Sequence, residues 1–351
     1  MSAGAAPPVP ETLEHFLSLD WLSAALGLRF PGIEVTDVKY GDIDQRVSTN
    51  VPFHIECAGG VPDGLSADLW GKGYFGEGAE LYRSAGEPEA FFYRDVADST
   101  GIRTLRSVYA DVDPATRHGV VITEDVLGQG ATFLNALSPY TPDQAAESLS
   151  QLATLHAAAW ERPALRDSPW LASRLSAYLE RRGIDDILFN FDGPIGAGVP
   201  QEVRDAARLR TAYGRLAAEV DTVSPWSLIH GDPHIGNVFL DAEGRPSFLD
   251  WQLVQRGPWY LDVGYHLSSA LSVEDRRRNE QDLVAHYLDR LAAGGVELSE
   301  QDAWPGLRRG MVHGFYLWAI TRKVKTAITT ELLTRLGTAV ADHDGFVAIG
   351  C

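Results

Sequence analysis

The spacing of apolar residues predicts a mixed first region and a mainly helical second region. Apolar side chains follow a helical repeat over residues 11–28. Between residues 33 and 74 short β-like runs alternate with turns, and residues 87–100 again favour a helix. Two further strands are predicted over 103–110 and 119–123. The first region should therefore form a small β-sheet accompanied by helices.

After residue 128 the spacing becomes mostly helical. Thr141 is a helix cap, Pro142 suits the first helical position, and Gln144 completes a capping box. Further helical patterns cover residues 166–183, 200–220, 273–294 and 306–340. The sequence thus predicts an α+β protein with an N-terminal lobe over 1–127 and a C-terminal lobe over 128–351, joined at about 124–130.

The composition is that of an ordinary globular protein. The chain has 351 residues, 45% hydrophobic, which is enough for two compact lobes. No apolar run reaches the roughly 18 residues that a membrane span requires, and the first residues do not have the pattern of a signal peptide. Cys57 and Cys351 are the only cysteines, so no disulfide framework is expected. These features predict a cytoplasmic protein.

Charge narrows the expected partners. The net charge is −18, which makes nucleic acid or an anionic membrane a poor partner. The acidity is compatible with a cationic acceptor, although solubility alone is the usual explanation. Of the 30 basic residues only four are lysines, and arginine supplies the rest. Lys72, which lies in a predicted strand, is therefore informative, because a compact ammonium and a forked guanidinium serve different purposes.

One segment carries the candidate chemistry. Residues 228–240 read LIHGDPHIGNVFL, and residues 248–251 read FLDW. Asp232 and Asn237 are five residues apart on a predicted loop, and Asp250 ends the next apolar run. Phosphoryl transfer needs a carboxylate near the acceptor hydroxyl and oxygen ligands for magnesium. A hairpin whose Asp and Asn side chains merely cap turns is the alternative.

This segment resembles the catalytic loop and metal-binding aspartate of the aminoglycoside phosphotransferase and choline kinase superfamily, nearest to its ecdysteroid-kinase-like branch. The resemblance implies a bilobal, protein-kinase-like fold and transfer of the γ-phosphate of ATP to a hydroxyl of a small molecule. It implies that Asp232 is the catalytic base and that Asn237 and Asp250 hold Mg²⁺. ATP, or GTP in its place, and Mg²⁺ are the implied cofactors.

The same resemblance gives supporting roles to neighbouring residues. His230 should hold the loop, and Asp262 matches a family aspartate that supports the loop from the following helix. His234 lies near the chemistry, although a packing role is more usual for such a residue. For Asp262 the alternative is an ordinary helix cap.

In the N-terminal lobe the resemblance selects a lysine and a glutamate for ATP. Lys72 would hold the α- and β-phosphates, and Glu89, in a Glu-x-x-Phe-Tyr helix, would orient it. Glu87 is the rival for that role, and a solvent-exposed Lys and Glu are the alternative for the pair. Residues 71–76 also match G-x-G-x-x-G, but no long helix follows, so a chance match is the better interpretation.

The remaining ATP contacts are predicted from two further segments. Ser48, Thr49 and Asn50 resemble the family's phosphate-covering loop, with a plain hairpin as the alternative. The main chain around Glu124 and Val126 resembles the hinge that binds the adenine edge.

Three questions stay open from the sequence. A metal-dependent hydrolase could use His230, Asp232 and His234 as alternating ligands. A non-catalytic, nucleotide-binding pseudokinase is a second alternative. The acceptor could be an aminoglycoside- or macrolide-like antibiotic, a sterol-like alcohol or a hydroxyacyl metabolite.

Overall fold

A computed structural model describes residues 6–45 and 48–351. The chain forms two compact units. The first contains the residues up to Ser99, then Thr104–Ala131 and Asp250–Leu253, and the second contains Thr100–Arg103, Thr132–Leu249 and Val254–Cys351. A segment that contains Asp250 therefore belongs with the N-terminal part of the chain. The predicted boundary between lobes at residues 127 and 128 stays a prediction.

The first unit is built on an antiparallel sheet. Its strands are β1 (Val35–Tyr40), β2 (Asp44–Gln45), β3 (Thr49–Cys57), β4 (Asp68–Gly73), β5 (Ser107–Val112) and β6 (Gly119–Glu124). The order is β1-β3-β4-β6-β5, and β2 pairs with the start of β3. In this register Lys72 lies opposite Asn50 on one side and Val121 on the other.

Helices complete this unit. They are α1 (Leu13–Phe16), α2 (Leu19–Gly27), α3 (Arg83–Phe91) and α4 (Ala97–Thr100), and a π-helical turn over Phe92–Val96 joins the last two. Phe16 of α1 packs against Gly71 of β4, where any Cβ would collide with its ring, and a Cβ at Gly73 would come within 2.6 Å of Phe75. These glycines therefore serve packing inside a strand, which explains the G-x-G-x-x-G match.

The second unit is mainly helical. Its helices are α5 (Pro142–Ala159), α6 (Pro163–Arg166), α7 (Leu175–Arg181), α8 (Ile184–Phe191), α9 (Ala206–Val220), α10 (Tyr260–Ala270), α11 (Val273–Ala293), α12 (Glu300–Ala319), α13 (Thr326–Asp342) and α14 (Gly345–Ala348). Its strands are β7 (Thr132–Phe133), β8 (Ser227–Ile229), β9 (Val238–Leu240), β10 (Pro246–Phe248) and β11 (Gln255–Gly257). They pair as β10-β9-β7 and β11-β8.

Helix α10 is buried along its whole length and packs against α12. A Cβ at Gly264 of α10 would lie 2.5 Å from the Leu307 carbonyl oxygen, and one at Gly310 of α12 would overlap the Tyr260 carbonyl. The two backbones approach this closely because glycine occupies both positions. The contact fixes α10 beneath the loop that follows β8.

Several predicted elements need correction. The single helix predicted over 306–340 is wrong, because α12 ends at Ala319 and α13 begins at Thr326. Helix α12 also begins at Glu300 and carries Pro305 inside it. The helix predicted over 166–183 is interrupted by a 3₁₀ turn, Pro169–Leu171. The capping box at Thr141 is confirmed. Among the residues that the structure describes, no helix is long and apolar enough to cross a membrane.

Candidate active site

Lys72 joins two carboxylates in the first unit. Its ammonium Nζ lies 2.7 Å from Glu89 Oε2 and 2.8 Å from Asp250 Oδ1. The Glu89 side chain is 5% exposed and that of Lys72 is 17% exposed, so water weakens this attraction little. Glu87 instead pairs with Arg117. The three charged residues therefore form one cluster, built from β4, α3 and the turn after β10.

The charges in this cluster alter its pKa values. Burial alone would lower the pKa of Lys72, but the charges of Asp250 and Glu89 outweigh burial and raise it above its ordinary value. Burial raises the pKa of Glu89, and the Lys72 ammonium opposes that change. Lys72 is thus a permanent cation at neutral pH.

Trp251 connects Asp250 to Glu89. Its backbone N–H donates to Glu89 Oε1 at 3.3 Å, and its indole Nε1–H donates to Thr104 Oγ1 at 2.9 Å. Its ring is fully buried and stacks on Phe92 with a centroid distance of 3.8 Å. Asp250 adopts a left-handed backbone with φ of 64°, which is uncommon for a residue other than glycine. The buried indole holds that conformation in place.

The predicted phosphate-covering residues lie at the start of β3. Asn50 donates to Ser48 Oγ at 3.1 Å and is the cross-strand neighbour of Lys72. The Thr49 hydroxyl donates to the Phe75 carbonyl at 3.3 Å and is buried. Thr49 and Asn50 therefore belong to a strand rather than to a loop. Contacts from these three residues to phosphate stay a prediction.

The predicted hinge residues lie at and beyond the end of β6. The Glu124 side chain pairs with Arg106 at 2.7 Å, and its backbone N–H donates to the Arg106 carbonyl. The Val126 carbonyl accepts from the N–H groups of Gln129 and Ala131 at 3.1 Å. Both residues thus have internal backbone bonds, and their contact with adenine stays a prediction.

Asp232 and Asn237 are held together in the loop after β8 in the second unit. Asn237 Nδ2 donates to the Asp232 carbonyl at 2.8 Å and lies 3.3 Å from Asp232 Oδ2. The hydroxyl of Tyr265, from α10, donates to Asp232 Oδ1 at 2.9 Å. Both oxygens of this carboxylate thus have a defined direction, and its side chain keeps partial access to solvent.

Asp262 holds the backbone of the same loop. Its Oδ2 accepts from the His230 N–H at 2.7 Å, and its Oδ1 accepts from the Gly231 N–H at 2.9 Å. His156 Nε2 lies 3.2 Å from Oδ2. Burial alone would raise the pKa of Asp262, but the bonds from His156 and the loop lower it. A buried carboxylate therefore stays ionised and fixes the loop.

Buried histidines bind three carbonyl groups in or next to the loop. His313 Nε2 donates to the Gly231 carbonyl at 3.1 Å, His266 Nδ1 to the Pro233 carbonyl at 2.7 Å, and His230 Nε2 to the Leu249 carbonyl at 3.0 Å. Burial lowers the pKa of His266 and of His313 to about 4. Both are therefore neutral at pH 7, with the ring proton on the nitrogen that donates to the loop.

The two histidines of the His-x-Asp-x-His pattern, His230 and His234, form hydrogen bonds with the loop backbone. His230 Nε2 donates to Leu249, and its Nδ1 accepts from the Asp232 N–H at 3.2 Å. His234 Nδ1 accepts from the Gly236 N–H at 2.9 Å, and its ring packs edge-on against Trp318. Because both nitrogens of His230 serve the backbone, this geometry does not favour the metal-dependent hydrolase.

The side chains of Asn237 and of Asp250 each offer an oxygen of the kind that magnesium binds. An amide oxygen and a carboxylate are hard ligands, and such oxygen ligands are the ones that Mg²⁺ takes in nucleotide-dependent enzymes. Donation from Asn237 Nδ2 to the loop directs the amide so that Oδ1 is its remaining ligand atom. That Asn237 and Asp250 bind one magnesium ion together stays a prediction.

Two residues of these clusters were given no role from the sequence. Tyr265 lies three positions after Asp262, so both side chains lie on one face of α10, and this spacing is the signal that could have indicated it. Trp251 is part of the predicted motif, but its burial against Phe92 depends on contacts distant in sequence.

Comparisons with known proteins identify the family of this chain. The model of a phosphotransferase enzyme family matches residues 89–308, more than half of the chain. An uncharacterized kinase-like protein of Caenorhabditis elegans is 27% identical over 221 residues, which are 60% of this chain and 58% of that protein. The chain thus spans less than two thirds of the length of that relative.

Solved structures resemble the fold. A choline kinase from Cryptosporidium parvum is 11% identical with a TM-score of 0.52, and the match covers 89% of this chain and 88% of that one. An ethanolamine kinase from Plasmodium vivax is 10% identical with a TM-score of 0.50, covering 87% and 82%. At this identity the similarity shows the fold alone.

The chain has the α+β fold of kinase-like proteins. The chain belongs to the phosphotransferase enzyme family whose model matches it. The predicted fold class and family are therefore confirmed, and the nearer relation to the ecdysteroid-kinase-like branch stays a prediction.

Proposed function

We propose that this protein is an ATP-dependent kinase that transfers the γ-phosphate to a hydroxyl group of a small molecule. One observation carries the proposal: Lys72 contacts both Glu89 and Asp250. A lysine oriented by a helix glutamate is what a kinase uses to hold the phosphates of ATP. The acidic chain and the membership of a phosphotransferase family support a small acceptor rather than nucleic acid or membrane.

Asp232 is the proposed base. Its carboxylate directs the acceptor hydroxyl and takes its proton as the oxygen bonds to the γ-phosphorus and the bond to the ADP oxygen breaks. The loop backbone is fixed by Asp262, so the carboxylate does not have to be ordered during the reaction. Asn237 and Asp250 are the proposed ligands of magnesium, and the ion would neutralise phosphate charge when bound.

Replacement of Asp232 should lower turnover without changing nucleotide binding. We expect Asp232→Ala to lower turnover at least about 100-fold and to leave the dissociation constant for magnesium and AMP-PNP nearly unchanged. Asp241→Ala is the matched control, because Asp241 binds Arg245 in the hairpin between β9 and β10. Full turnover in Asp232→Ala would refute the assignment of the base.

The acceptor class needs a direct screen. Acceptor-dependent ADP release should be measured with aminoglycosides, macrolides, sterols, choline-like alcohols and hydroxyacyl thioesters, with wild type and Asp232→Ala side by side. A true acceptor raises ADP release in the wild type alone. Nucleotide binding without stimulation by any compound would favour the pseudokinase instead. The cytoplasmic location stays a prediction that fractionation of cells can test.

A further inference from the structure

We propose that Tyr265 is a positioning residue for the reaction, which directs the carboxylate of Asp232 so that Oδ2 receives the acceptor proton. This inference rests on the proposed function. The Tyr265 hydroxyl donates to Oδ1 at 2.9 Å, whereas Oδ2 lies on the side of Asn237, at 3.3 Å from its amide nitrogen. Oδ2 is therefore the oxygen nearer to the proposed magnesium ligand.

Helix α10 supports the loop at two levels. Asp262 accepts from the backbone N–H groups of His230 and Gly231, and Tyr265, less than one turn later, donates to the Asp232 side chain. One rigid helix thus sets both the path of the loop and the direction of its carboxylate.

The ring of Tyr265 has little freedom to move. It is fully buried, and His313 packs edge-on against it with a centroid distance of 5.8 Å. Gly314 of α12 faces the ring so closely that any Cβ there would collide with it. The hydroxyl therefore points at Oδ1 because the ring is enclosed, not because Asp232 attracts a mobile side chain.

Loss of this hydroxyl has two opposing effects on Asp232. Without a donor the carboxylate becomes more basic, which would favour proton transfer, but it also loses its fixed direction. Phosphoryl transfer passes through a loose transition state to which the protein contributes mostly positioning. Loss of direction should dominate, and turnover should fall.

Tyr265→Phe tests this because it removes the hydroxyl and keeps the ring. With an acceptor found in the screen, we expect kcat to fall roughly tenfold, the effect of losing one hydrogen bond to a charged group, and the KM for ATP to stay within about twofold. The matched control is Tyr260→Phe, the same change on the same helix, where the hydroxyl lies beside Arg309. Tyr260→Phe should keep wild-type turnover.

A crystal structure of Tyr265→Phe provides a readout that does not depend on turnover. We expect the Asp232 carboxylate to rotate or to occupy two orientations, with the loop backbone unchanged. Unchanged kcat together with a single, unmoved carboxylate overturns the inference. If the wild type turns over no acceptor, the proposed function fails, and the crystal structure alone then decides whether Tyr265 orients Asp232.

Discussion

The two clusters of candidate residues are held by different interactions. Around Lys72, charged side chains contact one another, and the strength of the cluster depends on the charges of Glu89 and Asp250. Around Asp232, side chains from α5, α10 and α12 bind one another and the backbone of a loop, largely through neutral histidines and one buried carboxylate. The difference predicts that the first cluster responds to charge substitutions and the second to pH and to loss of single acceptors.

The largest effect is expected from Asp262→Asn. The substitution keeps the shape but replaces one carboxylate oxygen with an N–H₂ group, so one of the two buried loop N–H groups loses its acceptor and faces a donor instead. We expect the free energy of unfolding to fall by about 4 kcal/mol and turnover to approach background, measured by urea denaturation and ADP release. Asp241→Asn is the control. Asp241 also accepts from two backbone N–H groups, but it lies nearer the surface. Equal losses in the two variants would contradict the special role of the buried loop.

The second prediction concerns the loss of stability at acid pH. His313 has a folded pKa of about 4, below its unfolded value of about 6.5, so the unfolded chain takes up a proton first as pH falls. Its contribution to stability is therefore complete above pH 6.5 and declines as pH falls toward 4, by about 3 kcal/mol in all. The free energy of unfolding should be measured by urea titration at several pH values. Between pH 6.5 and 4 it should fall by about 3 kcal/mol less in His313→Gln than in the wild type. Identical pH profiles for wild type and variant would show that His313 does not act in this way.

The third prediction concerns the charged cluster. Lys72→Met leaves Glu89 buried without its cation, so we expect a loss of about 2 kcal/mol, reduced from a fully buried pair because Lys72 and Asp250 keep some solvent access. The double variant Lys72→Met with Glu89→Gln should recover part of this loss. Calorimetry should show no binding of AMP-PNP by either variant. Additive losses in the double-mutant cycle would show that the two charges do not interact.

The candidate residues could be proposed from the sequence because they belong to short motifs that resemble those of a known family. The resemblance selected Asp232, Asn237 and Asp250 from one spaced motif and Lys72 and Glu89 from two others, and the structure brings Lys72, Glu89 and Asp250 together. Their roles in catalysis stay predictions. The enclosing contacts could not be found in this way. Tyr265 reaches Asp232 because α10 packs on the glycines of α12, about 50 residues farther along the chain. The end of α12 was missed because residues 320–325 contain neither glycine nor proline.

The smallest effect is expected from Thr104→Val, which tests whether the Lys72 cluster depends on the direction of its carboxylates or only on their charge. Thr104→Val keeps the shape of the side chain but removes the acceptor of the Trp251 indole N–H, which is then buried without that bond. We expect a loss of about 1 kcal/mol in stability, because a buried N–H loses its acceptor. We also expect weaker binding of magnesium and AMP-PNP by a few fold, because Trp251 directly follows Asp250 in the chain and its backbone N–H donates to Glu89. Thr154→Val, which removes a hydroxyl bond within α5, is the control and should change neither quantity.

Weaker nucleotide binding with an unchanged requirement for the Lys72 charge would mean that the cluster depends on the direction of its carboxylates as well as on their charge. Wild-type binding in Thr104→Val would mean that the ion pairs alone suffice, and the contrast between the two clusters would then be complete.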